Sequence, residues 1–352
     1  MDRVDPAISH TFPAKVRTPT EAADAGGRMA WLRAQFGLPW RSRRNPHAAA
    51  HEQARQSEAA QLGLLSSDPA DRSHKRFASF VTLDGLVYPE ATLAGLEIGG
   101  TYNQWLHFLD DQYDDHAQVG QDPQAVRALM ERALKILYSG ALPAEPTPFD
   151  QLTLRLHQRL VSGTTGCATA EAEAWMARFL DTVRDYLLRG SLVALKRWSS
   201  AHVPTVGEYL PIRMYDSAVL TVFTLMELIN DAQLPAELYD HPYLCTMRRA
   251  AAYHIIFVND LVSYHKEVVE RGSVCNMVRV LQAEEGIPLE QALRRVKQRA
   301  DEALARFLAS EEALAREVLL TPRLVRYIDG LKAWIGGNVD FSITSPRFRW
   351  PI

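Results

Sequence analysis

Cysteine is scarce in this chain of 352 residues: there are three, Cys167, Cys245 and Cys275. Three scattered thiols make neither a disulfide scaffold nor a zinc site. An odd count fits a reducing compartment, so the chain reads as cytoplasmic. Long apolar runs are lacking too. The longest, around residues 217–226 and 255–258, soon meet Glu227 and Asn259, well short of the ~20 residues that span a bilayer. The first thirteen residues are polar, with no signal-like apolar core. Charge of one sign is also missing. The 39 Lys and Arg balance 42 Asp and Glu, a net charge of -3, which excludes a generally basic nucleic-acid binder and an acidic tail protein. Strand signals are few. The only Asp-Gly pairs, Asp84-Gly85 and Asp329-Gly330, are not flanked by alternating apolar runs.

What is present is apolar content and helical periodicity. Hydrophobic residues make up 47 % and charged residues 23 %, a composition that folds rather than stays disordered. Apolar positions recur at helical spacing over 93–116, 123–138, 149–161, 168–198, 205–229, 242–271, 289–308 and 321–335. Asp122 before Pro123 marks one helix start, and Asp240 near Pro242 another. The proline-rich stretch 139–148 and the segment 66–71 are breaks that no helix interior tolerates. No fixed-period repeat suggests a solenoid. Residues 1–40 read as a poorly structured arm, possessing only a short helix around 28–36 and free either to cover a cavity mouth or to be disordered. Residues 41–352 read as one all-α domain, a helical bundle so large that it must enclose something or have a very wide core.

Two polar clusters sit where a core would not accept them. In the first, Asp110 and Asp114 are four apart on one helical face, and Asp111 and Asp115 repeat the pattern about 100° round the axis. Like charges at this spacing repel, and they lie at the negative end of the helix dipole. The cluster is either a solvated acidic helix end or a site for a hard cation, magnesium or calcium rather than zinc. In the second, Asn259, Ser263 and Glu267 follow i, i+4, i+8, so an amide oxygen, a hydroxyl and a carboxylate form one stripe below the apolar run 255–258. This is either the wet face of an amphipathic helix or a second hard-cation site, with Lys266 beside it suited to phosphate. Arg213 stands in apolar surroundings and needs an anionic partner, either a neighbour such as Asp216 or Glu208 or a ligand. Arg347 and Arg349 form a basic C-terminal pair. Together these features can clamp one multiply charged oxyanion, and diphosphate bridged by magnesium is the obvious choice.

At these residues the sequence resembles the class I terpene synthases, the microbial sesquiterpene and diterpene cyclase family. Asp110-Asp111-Gln-Tyr-Asp114 is similar to the aspartate-rich motif, and Asn259-Asp-Leu-Val-Ser263-Tyr-His-Lys266-Glu267 to the second metal motif. Arg213 stands where microbial members carry a diphosphate-sensing arginine, and 338–348 resembles their C-terminal segment. The resemblance covers about residues 40–350. It implies a helical bundle around a deep apolar cavity and a magnesium-dependent cyclase, with three ions expected. A linear prenyl diphosphate, most commonly farnesyl diphosphate, would be ionised and cyclised to a hydrocarbon or alcohol. It further implies that Asp110, Asp111 and Asp114 hold metal at one rim and Asn259, Ser263 and Glu267 at the other. Arg213, Lys266 and Arg347 would contact diphosphate. Asp216 would act as linker, Ser217 would offer its carbonyl, and Phe341 would face the cation. Relatives often dimerise, so a homodimer is possible.

Three departures stand out. Phe348 replaces the tyrosine usual after Arg347, so one hydrogen bond to diphosphate is missing, worth roughly 1–3 kcal/mol to a charged group. Phe341 replaces a tryptophan, and Ser217 a glycine. His107 takes a place near one where an aromatic is common and is a candidate terminating base. Aromatic candidates for the cation wall are Phe80, Trp105, Phe108, Phe223, Phe257, Trp334 and Phe341, each able to offer about 0.5–2 kcal/mol or simply to pack the core. The competing readings are a geranylgeranyl diphosphate cyclase, a chain-elongating prenyltransferase and a non-catalytic diphosphate-binding relative.

Overall fold

The computed structural model describes residues 35–65, 68, 72–110, 122–198 and 202–345, with backbone alone for 72–76, 78–80 and 196–198. Every regular element among them is helical. In chain order these are α1 (Ala48–Gln61), α2 (Arg72–Val87), α3 (Leu93–Asp110), α4 (Pro123–Ser139), α5 (Pro148–Gly163) and α6 (Thr169–Asp185). A π-helical segment, Tyr186–Ser191, joins α6 to α7 (Leu192–Trp198) without a break in the chain's helical course. Then come α8 (Val206–Asp216), α9 (Val219–Ile229), the single turn α10 (Ala236–Tyr239) and α11 (Pro242–Tyr264). A second π segment, His265–Glu270, extends α11, and α12 (Met277–Glu285), α13 (Leu289–Glu317) and α14 (Pro322–Thr344) complete the bundle.

The starts follow local chemistry. Asp122 accepts from the Gln124 N–H ahead of Pro123. Thr147 and Asp150 form a reciprocal capping box, as do Thr205 and Glu208. At α11 the cap is His241 rather than the expected Asp240. The centre of the bundle is α9, where every residue but Leu220 is buried. A helix that is apolar all round belongs inside. Around it lie α3, α6, α8, α11 and α14, while α11 and α13 run against each other along much of their length.

Sequence periodicity missed α1, α2 and α12. In α1 the reason is visible: its inward residues are His51, Arg55 and Glu58, all buried. His51 Nε2 pairs with Asp84 Oδ2 of α2 at 2.9 Å. Glu58 receives Arg155 at 2.7 Å and Arg159 at 3.0 Å from α5, as well as Arg55 from its own helix. Polar side chains therefore stand where the pattern asks for apolar ones, and each is paired, as buried charges must be. Two further differences matter for the site. The expected continuous helix 205–229 is broken at Ser217 and Ala218. The helix expected over 242–271 changes from α to π winding at His265.

Candidate active site

The break between α8 and α9 organises the surroundings. Ala218 has φ 56°, the left-handed region, which costs a non-glycine residue on the order of 1–3 kcal/mol. Thr221 and Val222 both take their backbone bonds at the Ala218 carbonyl, so the helix passes over the carbonyl of Ser217. The turn is tied from two sides. Tyr102 of α3 donates to Thr221 Oγ1 at 2.5 Å, and Thr221 in turn donates to the Ala218 carbonyl. On the other side Gly190 of the first π segment lies directly against the Asp216 backbone. A Cβ placed on Gly190 would sit 2.5 Å from the Asp216 nitrogen. The Arg189 guanidinium covers the Tyr215 ring at 4.4 Å.

Asp110, at the end of α3, accepts from the Tyr186 hydroxyl at 3.1 Å. Tyr186 opens the π segment that carries Gly190, so the first acidic wall is linked to the break. The second wall is linked through Arg213. Its Nη2 donates to Asn259 Oδ1 at 2.9 Å and to Asp260 Oδ1 at 3.2 Å, and Nη1 lies 3.6 Å from Asp216 Oδ2. Asp110 is thus tied to the π segment that packs on the break, and Asn259 to Arg213 on the helix that leads into it. Of the other expected site residues, Asp111, Asp114 and Arg347 lie outside the described residues, as do Phe348 and the Phe80 side chain. Lys266 is half-buried on the second π segment. Phe341 and Val262 form a small apolar cluster apart from the main core, packed on Leu83 and Leu86. Trp105 and Phe223 are fully buried, and Trp105 is committed to Thr153 and the Phe149 ring, a core role.

The stripe on α11 fits a hard cation. Asn259 and Ser263 occupy α winding and Glu267 the π segment. Four residues of α-helix overshoot a turn by about 40°, and a π turn, which takes more residues per turn, offsets that drift for Glu267. The Ser263 hydroxyl is buried and has no hydrogen-bond partner among the described residues. An orphaned buried hydroxyl costs about 1–3 kcal/mol unless a ligand takes it up, and an all-oxygen set suits magnesium.

Sequence reasoning passed over the residues that fix this geometry. Asp260 is fully buried and accepts from Tyr209 at 2.5 Å, from the Met277 N–H at 3.0 Å and from Arg213. Burial, opposed by Arg213 and reinforced by Glu267, pushes its pKa up to about 6. Burial also opposes the charge on Arg213, but Asp260, with Tyr209, Asp216 and Glu267 behind it, outweighs that and raises the guanidinium's pKa. Asn276 donates to the Asp260 carbonyl at 2.9 Å and to Glu267 Oε2 at 3.1 Å. Asp260 lay inside the second motif without a role, and Gly190 was visible as a glycine within a helical pattern. Nothing in the local pattern marked Asn276.

Comparison with known proteins identifies the family. Residues 101–306 match the model of "Terpene synthase family 2, C-terminal metal binding". The (+)-T-muurolol synthase of Roseiflexus castenholzii, described as cyclising (2E,6E)-farnesyl diphosphate, is 30 % identical over 317 residues, 90 % of this chain and 94 % of that protein. The 10-epi-cubebol synthase of Sorangium cellulosum is 29 % identical over 82 % of this chain and 89 % of its own. In fold, the chain is similar to germacradien-4-ol synthase from Streptomyces citricolor, with a TM-score of 0.71 at 23 % identity, covering 87 % of this chain and 97 % of that one. No described helix is long and apolar enough to cross a membrane. On the family model and on a relative matched along nearly its whole length, the chain belongs to terpene synthase family 2, a metal-binding family of lyases.

Proposed function

We propose that this protein binds farnesyl diphosphate with magnesium and converts it to a cyclic terpene hydrocarbon or alcohol, releasing diphosphate. The observation that carries this reading is the contact of Arg213 with Asn259, at the head of a stripe continued by Glu267 and by the Ser263 hydroxyl, which has no hydrogen-bond partner among the described residues. An anion-seeking guanidinium and a cation-seeking oxygen set adjoin, as a metal diphosphate requires. The farnesyl assignment is supported by the substrate in the description of the Roseiflexus relative.

In this reading Asn259, Ser263 and Glu267 hold one ion, and Asp110, with Asp111 and Asp114, holds two more. Bound there, magnesium supplies Lewis-acid stabilisation of the charge developing on the leaving oxygens. Arg213, Lys266 and Arg347 donate hydrogen bonds to the diphosphate. Arg213 must turn some of its donors from Asn259 towards the ligand, and Asp260 keeps its Nε side anchored while it does so. Asp216 lies next to that guanidinium as the linker, and Ser217, the residue after it, offers its carbonyl at the break. Phe341, with Val262 and Leu83, offers an apolar wall that excludes water and an aromatic face for the cation.

The test is turnover of geranyl, farnesyl and geranylgeranyl diphosphates with magnesium chloride, with products identified by mass spectrometry. A cyclic product with fifteen carbons from farnesyl diphosphate is expected. Activity confined to geranylgeranyl diphosphate overturns the size assignment. Consumption of isopentenyl diphosphate would reveal a prenyltransferase, and binding without turnover of any of the three a non-catalytic relative.

A further inference from the structure

Asn276 is fully buried and precedes α12, in extended backbone conformation. Its Oδ1 caps that helix, accepting from the Val278 N–H at 3.0 Å. A cap asks no more than that, and Asp, Ser or Asn supplies it about equally well. The amide nitrogen is surplus to capping, yet Nδ2 reaches two acceptors on the α11 side: the Asp260 carbonyl at 2.9 Å and Glu267 Oε2 at 3.1 Å. The next residue continues the contact, since the Met277 N–H donates to Asp260 Oδ2 at 3.0 Å. Asp260 in turn carries Arg213 on its Oδ1 and Tyr209 on its Oδ2. Two consecutive residues, 276 and 277, therefore hold both the far end of the oxygen stripe and the anchor of the guanidinium.

We propose that Asn276 is a positioning residue for metal binding: its carboxamide fixes the Glu267 carboxylate on the π segment and registers it against the Asp260–Arg213 pair. The inference rests on the reading of the stripe as a magnesium site. Asn276 takes only Oε2, and among the described residues Oε1 accepts no hydrogen bond, so the carboxylate is oriented without being used up. Without the carboxamide, Glu267 sits on a half-exposed π segment with its side-chain rotamers released. Groups that orient a metal ligand change affinity by about 10–100-fold when removed.

The test compares wild type with Asn276→Ser, which keeps a capping oxygen and loses the carboxamide, and Asn276→Asp, which keeps the cap and turns an acceptor towards Glu267. Binding of inorganic diphosphate at varied magnesium concentration is followed by calorimetry and by the rise in Tm. The expected result is a 10–100-fold higher magnesium requirement in Asn276→Ser and at least as large a shift in Asn276→Asp. In a Glu267→Gln background, Asn276→Ser should add little, because both act through one carboxylate. An unchanged magnesium requirement in either folded variant overturns the proposal, as does full additivity with Glu267→Gln. Failure of both variants to fold assigns Asn276 to folding alone and also overturns it. If wild type itself shows no magnesium-dependent diphosphate binding, the reading of the stripe fails first, an outcome distinct from the others.

Discussion

Replacing Gly190 with alanine tests the packing of the first π segment on the α8–α9 break. The added Cβ would lie 2.5 Å from the Asp216 nitrogen, 2.7 Å from its Cα and 2.7 Å from the Tyr215 carbonyl carbon. All three are backbone atoms, so no side chain can swing aside. Ordinary van der Waals contact begins near 3.4 Å, so the π segment and the break must part by about 1 Å. Overpacking of this kind costs ~1–3 kcal/mol, partly offset by the ~1 kcal/mol that alanine gains over glycine in a helix. The net loss of stability is then small, about 0–2 kcal/mol, a Tm lowered by a few degrees. Activity should suffer more. A 1 Å misplacement of a positioned group can cost ~100-fold, and the moved residues include Asp216 and, through Tyr186, Asp110. The assay is kcat/KM on farnesyl diphosphate beside Tm and far-ultraviolet circular dichroism. A variant that gains the full helix-propensity increment in Tm and keeps wild-type kcat/KM would refute the packing described here. Ala218→Gly is the companion: it relieves a left-handed alanine and should raise Tm while sparing activity.

Asp110→Ala and Asn259→Ala should each lower turnover by at least 100-fold with helical content retained; full activity in either would place the metals elsewhere. Ser263→Ala removes a buried hydroxyl that has no partner among the described residues, so the metal-free protein should be as stable as wild type or more so, by up to about 1–3 kcal/mol, while its magnesium requirement rises; a destabilised variant with unchanged magnesium dependence contradicts this. Phe341→Ala should redistribute products with little effect on diphosphate binding, as gas chromatography can show; an unchanged profile would put Phe341 outside the cation's reach. Glu227 is buried in α9, and burial, opposed by Arg178, raises its pKa from the ordinary 4.5 to about 7. A carboxyl that binds its proton more tightly when folded favours the folded state fully below pH 4.5 and loses that contribution as pH rises through about 7. Glu227→Gln should therefore flatten the fall in Tm between pH 4.5 and about 7, and an unaltered slope would exclude Glu227 as its source.

Much of this protein was legible in its sequence, because helical periodicity and spacing are local properties. The all-α class and the need of Arg213 for an anionic partner follow from helical periodicity and burial cost alone. Tertiary structure decided the rest. The apolar run from Val219 onwards looks continuous with α8, but the approach of Gly190 and the tie from Tyr102 to Thr221 accompany a left-handed turn at Ala218 that no local preference would choose. The buried face of α1 is polar because its partners come from α2, α3 and α5, and a periodicity count sees only one strand of such a pairing. Asn276 lies nine residues beyond Glu267, past a change in winding, and a side chain's reach across such a gap is set by where two helices meet rather than by the residues between them.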